Sequence, residues 1–115
     1  MAERLPHVTQ SRVVAPGVVE LELDIQPGLL WFEGHFPDAP ILPGVVQIDW
    51  AVQFARLHLG LDLPAAREFQ IKFKAMILPG DAVILALRHD AAKGRLGFEY
   101  RRGDTVCSIG TVFLR

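Results

Sequence analysis

The stretch GVVQIDWAVQFARLHL, residues 44–59, decides the fold, because its apolar residues recur at the spacing of an α-helix on two faces. One face comprises Val45, Ile48, Val52, Ala55 and Leu59, and the other comprises Val46, Trp50, Phe54 and Leu57. A helix that is apolar on both faces is enclosed by the rest of its domain. Gly60 and Pro64 predict its end. The sequence therefore predicts one buried helix around which the other elements pack.

The segment before this helix, residues 26–43, has the periodicity of neither a helix nor a strand. It contains four of the eight prolines of the chain, which are Pro27, Pro37, Pro40 and Pro43. Each proline fixes its own φ and restricts the residue before it, so this backbone has few conformations to lose on folding. A connection of this length in a small domain usually carries function.

Most of the remaining chain is predicted to form β-strands. Within the predicted strand 18–25, apolar and acidic residues alternate strictly from Val19 to Ile25, which is typical of a strand with one buried face. Residues 67–77 alternate in the same way, with Gln70, Lys72 and Lys74 on the polar face. Further strands are predicted at 82–87, 95–102 and 105–114, with turns at 79–81, 93–94 and 103–104. We therefore predict one α+β domain, residues 1–115, in which a curled antiparallel sheet wraps one long buried helix.

The composition of the 115-residue chain, with 50% hydrophobic and 22% charged residues, is typical of one globular domain. So small a domain has little room for both a core and a substrate cavity, and self-association is therefore expected. A net charge of −1 without runs of like charge argues against a nucleic-acid partner. The N-terminus lacks a signal-peptide pattern, and no apolar run approaches the roughly 20 residues of a membrane span. We therefore expect a cytoplasmic protein without membrane contact.

Two features near the start of the predicted helix could carry chemistry. His35 lies in the proline-rich segment, and because a histidine side chain titrates near neutrality it is a candidate general base. From residue type alone, a structural role, in which the imidazole hydrogen-bonds a loop carbonyl, is more frequent than a role as general base. Gly44 and Val45 open the helix, whose first amides lack intrahelical partners and could stabilise an oxyanion. An ordinary helix start is the alternative interpretation.

A third feature is Asp49, which lies about one helical turn beyond Val45 among apolar neighbours. A carboxylate is costly there, so its pKa should rise unless a donor pairs with it, and a raised pKa suits a general acid. Gln53 lies four residues further on and could orient this carboxyl by a hydrogen bond. The alternative is an aspartate on a narrow solvated stripe shared with Gln53 and Arg56. Together, a base, an oxyanion site and an acid fit removal of a proton beside a thioester carbonyl and loss of a β-hydroxyl as water.

Other kinds of site have less support in the sequence. No GxSxG motif occurs, and Cys107, the only cysteine, lies in an apolar strand, so it is expected in the core and not as a nucleophile. His7, His58 and His89 are scattered without the spacing of metal ligands, so no metal site is predicted.

The segment GHFPDAPILPGVVQIDWAVQ, residues 34–53, resembles the signature GHFPxxPxxPGVxxxE(or D)AxxQ of the hotdog-fold β-hydroxyacyl-ACP dehydratases. The segment FKAMILPGD, residues 73–81, is more loosely similar to the family's sequence after the helix, so the resemblance covers most of the chain from about residue 18. The short length and the sequence PGVVQIDWA look most similar to the small ApeI-like dehydratases of aryl polyene pathways.

This resemblance implies a hotdog homodimer, or a higher oligomer built from such dimers, with two composite active sites in each dimer. It also implies dehydration of a 3-hydroxyacyl chain carried on the phosphopantetheine arm of acyl carrier protein, without a resident cofactor. On the matching positions His35 is the catalytic histidine, Asp49 the catalytic acid from the opposite subunit, and Gly44 the backbone donor to the thioester carbonyl. The supporting positions are Gln53, which holds the acid, and Phe36 and Pro37, which shape the pocket.

The chain departs from the family pattern in three respects. Asp49 stands where many members carry glutamate, and the aspartate form occurs in a branch that also isomerises its product. Trp50 replaces a small residue and is expected to narrow the acyl tunnel. Much of the N-terminal segment of longer members is missing, which leaves the length of the substrate open.

Acyl carrier protein is acidic, so a basic patch is expected where it docks. The candidate docking residues are Arg67, Lys72, Lys74, Arg101 and Arg102, although a charged strand face is usually just solvated. Two alternatives to a dehydratase remain at this point. One is a hotdog acyl thioesterase that uses a carboxylate and water, and the other is a non-catalytic subunit that binds acyl carrier protein.

Overall fold

A computed structural model of the chain describes residues 4–29, 41–62 and 68–114. Within these ranges it has one helix, α1 (Gly44–Leu59), and six strands. The strands are β1 (His7–Ala15), β2 (Val18–Asp24), β3 (Glu68–Phe73), β4 (Ala82–Asp90), β5 (Arg95–Arg102) and β6 (Thr105–Phe113). The predicted α+β class is confirmed, and the predicted bounds of α1 and β5 coincide with the observed ones.

Helix α1 begins after Pro43, whose φ of −61° and ψ of 146° are extended, and it ends at Gly60. Gly60 has a φ of 66°, a left-handed conformation that glycine adopts without steric cost. Most of the helix is buried, and it contacts β2 and β4. However, Val45 is 71% and Leu57 is 66% exposed. The prediction of a fully enclosed helix is therefore wrong for one stripe of its surface, which this chain alone leaves open.

The six strands form one antiparallel sheet in the order β1-β2-β4-β5-β6-β3. In β2 the apolar residues Val19, Leu21 and Leu23 are buried, while the acidic residues between them lie on the other face, as predicted. Strands β4 and β5 alternate in the same way, so the central strands supply most of the apolar surface that packs against α1.

The patterns of the sequence do not predict β1. All nine of its residues are exposed, and among the described strands this edge strand pairs with β2 alone. A strand without a buried face has no apolar alternation to detect. The turn residues Pro16 and Gly17, directly before β2, are the one local signal of this hairpin.

Strand β3 ends at Phe73 instead of continuing to residue 77 as predicted. The amides of Lys74 and Ala75 both donate to the carbonyl oxygen of Cys107, at 2.9 and 3.1 Å. Two donors on one acceptor break the one-to-one pairing of β3 with β6. The chain therefore leaves the sheet here and passes beside the start of α1.

Candidate active site

The start of α1 presents unpaired backbone donors. The amides of Val46 and Gln47 donate to the carbonyl oxygen of Pro43, at 3.2 and 3.3 Å. The amides of Gly44 and Val45 have no acceptor among the described residues, as is usual in a first helical turn. The first turn also contains no acidic residue that would offset the positive end of the helix dipole. This end of α1 can therefore stabilise negative charge on a bound ligand.

A cavity of about 400 Å³ opens at this end of α1. Gly44 forms part of its wall, and the ring of Phe73 lies directly against Gly44. The other described lining residues are Ile41, Leu42, Pro43, Gln47, Lys74, Ala75 and Met76. A methyl group at position 44 would overlap the Phe73 ring, so this close approach requires glycine. A mostly apolar cavity that ends at backbone donors suits an acyl chain with a polar carbonyl.

Asp49 lies one helical turn beyond Val45, on the open stripe of α1. Its Oδ2 atom accepts a hydrogen bond from Gln53 Nε2 at 2.5 Å, as the sequence predicts. The expectation that apolar neighbours bury this carboxyl is wrong for the single chain, in which Asp49 is exposed. The residues four positions away on either side are Val45 and Gln53, on the same side of the helix, whereas Ile48 points into the core.

A buried polar cluster that the sequence patterns do not identify lies beside the first turn of α1. Gln47 is 3% exposed, its Nε2 donates to the carbonyl oxygen of Leu42 at 3.3 Å, and its Oε1 accepts from Ser108 Oγ at 2.7 Å. The Tyr100 hydroxyl donates to the main-chain oxygen of Gln47 at 2.6 Å. Burial, and to a smaller extent the charge of Asp49, raise the pKa of Tyr100 well above its ordinary value. The phenol therefore stays protonated and remains a donor.

Trp50 is fully buried, and its indole Nε1 donates to the carbonyl oxygen of Arg4 at 2.9 Å. It joins the N-terminal segment to the helix and is not among the described lining residues of the cavity. Cys107 is buried in the core, as predicted, and burial raises the pKa of its thiol.

The described candidates for carrier docking have different surroundings. Lys74, directly after β3, lines the cavity, whereas Lys72 lies on the face of β3 opposite to Phe73, which is itself a lining residue. Two others are in ion pairs, namely Arg101 with Glu99 at 3.3 Å and Arg102 with Asp81 at 3.1 Å. Lys74 is therefore the described candidate that lies beside the cavity.

His35, Phe36, Pro37 and Arg67 lie outside the described residues, and their roles stay predictions. Within the described ranges, no three histidine, cysteine, aspartate or glutamate side chains are grouped as metal ligands are. In the same part of the chain, no helix has the length and apolar character of a membrane span.

Comparison with known proteins identifies the family. The model of the ApeI-like family, described as ApeI dehydratase, matches residues 10–111. The chain belongs to the ApeI-like dehydratases. The matched region runs from β1 into β6 and includes the whole of α1 with the cavity at its start.

Relatives and solved structures are similar to this ApeI-like dehydratase over most of its length. A 3-hydroxyacyl-(acyl-carrier-protein) dehydratase FabZ of Clostridium perfringens is 30% identical over 105 residues, which are 85% of this chain and 71% of the relative. The dehydratase heterocomplex ApeI:P from Xenorhabdus doucetiae matches with a TM-score of 0.86 and 32% identity, over 94% of this chain and 96% of that chain. A protein from Erwinia carotovora subsp. atroseptica matches with a TM-score of 0.80 and 36% identity, over 96% of both chains. These matches confirm the predicted hotdog dehydratase fold.

Proposed function

We propose that this ApeI-like dehydratase converts 3-hydroxyacyl thioesters on acyl carrier protein to trans-2-enoyl thioesters and water, in fatty-acid or aryl-polyene-type synthesis. The observation that carries the proposal is the arrangement on α1, where Gly44, whose amide has no acceptor among the described residues, lines an apolar cavity and the Asp49 carboxyl lies little more than one turn further along the helix. The printed function of the FabZ relative supports the same reaction.

The proposed reaction needs a base, an oxyanion site and an acid. His35 removes the proton from the carbon beside the thioester carbonyl, and the electron pair moves onto the carbonyl oxygen as an enolate. The Gly44 amide donates to that oxygen at the positive end of α1. The carbonyl then re-forms, the carbon–carbon double bond forms, and the β-hydroxyl leaves with the proton of Asp49 as water. Because every step is a proton transfer or a carbon–oxygen cleavage, we propose no resident cofactor.

A second copy of the chain completes this site in our proposal. Strand β3 is an edge of the sheet, and Phe73 at its end is 56% exposed. Val45 and Leu57 expose further apolar surface on the open stripe of α1. A strand edge that no other described strand pairs with, beside exposed apolar residues, is typical of an interface. Covering this surface would remove water from Asp49, as a general acid requires, so we propose a homodimer in which Asp49 serves the partner's site.

Identification of the product tests the proposed function. Purified protein is incubated with 3-hydroxyacyl thioesters of acyl carrier protein that bear short aliphatic, long aliphatic and aryl chains. The expected product is an enoyl thioester, whereas a hotdog thioesterase releases free thiol and a non-catalytic subunit leaves the substrate unchanged. The preferred chain identifies the substrate class. Either of the last two outcomes overturns the proposal.

Gly44→Ala should lower kcat/KM about 10- to 100-fold, because the added methyl group displaces the Phe73 ring and the substrate from the amide donor. Stability should change by no more than about 1 kcal/mol, since alanine favours the helix and the exposed ring can move. The matched control is Gly28→Ala, where no atom of the described residues lies within 4 Å of the added methyl group. Steady-state kinetics and thermal melts distinguish the two variants. An unchanged rate in Gly44→Ala contradicts the assignment of the donor.

Lys74→Glu should raise KM for the carrier-linked substrate about tenfold, because an acidic carrier then meets a negative charge beside the cavity. The kcat value should change little, and a substrate on free pantetheine should show no effect. Lys72→Glu is the matched control, since it makes the same charge change at a residue that is not among the described lining residues of the cavity. High salt should reduce the difference. Equal effects of the two variants would refute docking at Lys74.

We propose that acyl carrier protein and this dehydratase meet in the cytoplasm.

A further inference from the structure

Gln47 occupies a position in α1 where stability alone does not require a polar side chain. It is buried beside residues of the core, and a methionine would fill nearly the same volume. A buried amide costs free energy unless its donor and acceptor both find partners. Here both do, because Gln47 donates to Leu42 and accepts from Ser108.

The hydrogen bonds of Gln47 hold the backbone on both sides of Gly44. The carbonyl of Leu42 accepts from the Gln47 side chain at 3.3 Å, while the Leu42 amide donates to the carbonyl of Ile77 at 2.9 Å. On the other side, the main-chain amide of Gln47 donates to Pro43 at 3.3 Å, and its main-chain oxygen accepts from Tyr100 at 2.6 Å. The turn that contains Gly44 is therefore held in place by hydrogen bonds to buried residues of the core.

We propose that Gln47 is a positioning residue for water elimination. Its hydrogen bonds orient the Gly44 amide towards the carbonyl oxygen of the thioester. The inference rests on the proposed function. An amide that stabilises an oxyanion acts on charge that develops in the transition state. The orientation of its N–H group therefore affects kcat more than it affects substrate affinity. A backbone shift of about 1 Å at such a group can cost about 100-fold in rate.

The anchor for this arrangement comes from the sheet. Ser108 is fully buried on β6 and Tyr100 is fully buried on β5, and these residues are direct partners across the two strands. Both hydroxyl groups donate hydrogen bonds to Gln47, Ser108 to its side chain and Tyr100 to its main-chain oxygen. The turn that carries Gly44 is thus held by two neighbouring strands of the core and not by the loop alone.

The test compares Gln47→Met with Ser108→Ala and with the double variant. Gln47→Met should lower kcat about 10- to 100-fold with KM within about twofold of wild type, because the turn loses its side-chain anchor. Ser108→Ala should lower kcat less, since the bond to Leu42 remains. The double variant should lose no more than Gln47→Met alone, because both changes act through the same amide.

Leu96→Val is the control for a purely structural effect. Leu96 is fully buried on β5, four residues or about 13 Å along the strand from Tyr100, so its truncation weakens the core away from the turn. It should lower the melting temperature without changing kcat. If Gln47→Met keeps the wild-type kcat, the positioning role is wrong, while the dehydratase stands. If the wild-type protein forms no enoyl product, the proposed function itself fails.

Discussion

Asp49→Asn is expected to lower the rate of water elimination about 100- to 10,000-fold, the range that a general acid contributes. Asparagine keeps the shape of the side chain, and its oxygen can still accept the hydrogen bond from Gln53. It cannot give a proton to the leaving hydroxyl. Stability should be nearly unchanged, because the substitution keeps both the side-chain volume and the hydrogen bond from Gln53. The measurement is the initial rate of enoyl formation, with the melting temperature recorded alongside.

Asp90→Asn is the matched control for this substitution. Asp90 accepts a hydrogen bond from the Lys93 amide in the turn after β4, and asparagine can accept the same bond. The expected rate is that of wild type. A comparable loss in both variants, or an active Asp49→Asn, would remove Asp49 from the mechanism.

Mixing the inactive variants His35→Ala and Asp49→Asn tests whether the site is shared between subunits. If each site combines His35 of one subunit with Asp49 of the other, a mixed dimer has one site with both residues intact. Random exchange of subunits then restores about a quarter of the wild-type activity, because half of the dimers are mixed. If both residues of a site come from one chain, every site lacks either His35 or Asp49, and no activity returns. That outcome would leave the general acid in place but rule out the composite site.

Trp50→Ala should cost about 3–5 kcal/mol of unfolding free energy, because it empties the space of a large, fully buried side chain. It also removes the hydrogen bond between the indole and the Arg4 carbonyl, which joins the N-terminal segment to α1. A domain of this size has only about 5–15 kcal/mol of stability, so the variant should be close to unfolding. Urea unfolding followed by circular dichroism measures the loss, at one fixed protein concentration because a dimer's stability depends on it.

Trp50→Phe separates the two contributions to this stability. It retains an aromatic ring in the core but has no donor for the Arg4 carbonyl, so we expect a loss of about 1–2 kcal/mol. A loss of unfolding free energy below about 1 kcal/mol in Trp50→Ala would show that burial of the indole contributes little to the stability of the domain.

Some features of the site depend on contacts that no local pattern contains. Gln47 precedes Trp50 and Ala51 by three and four residues, so its place on a buried face could have been noticed from the helical spacing. Its partners could not, because Ser108 lies 61 residues away and Tyr100 lies 53 residues away. Such pairs are created only when β5 and β6 come to lie beside α1.

The sequence by itself determined the elements whose signals are local. The bounds of α1 follow from apolar spacing and from Gly60, and the alternation of β2 follows from its one buried face. The proline-rich segment and the residues Gly44, Asp49 and Gln53 likewise identify the dehydratase family, because the motif is continuous in the chain.

Only the tertiary structure decided where these elements stop and what they leave open. Strand β3 ends where two amides meet the Cys107 carbonyl, β1 is an edge strand without a buried face, and Asp49 lies on a stripe that the sheet does not reach. The physical reason is that burial depends on which surfaces of a sheet and a helix meet. Periodicity shows that a face is apolar, whereas only packing between distant segments decides whether this chain or another surface covers it.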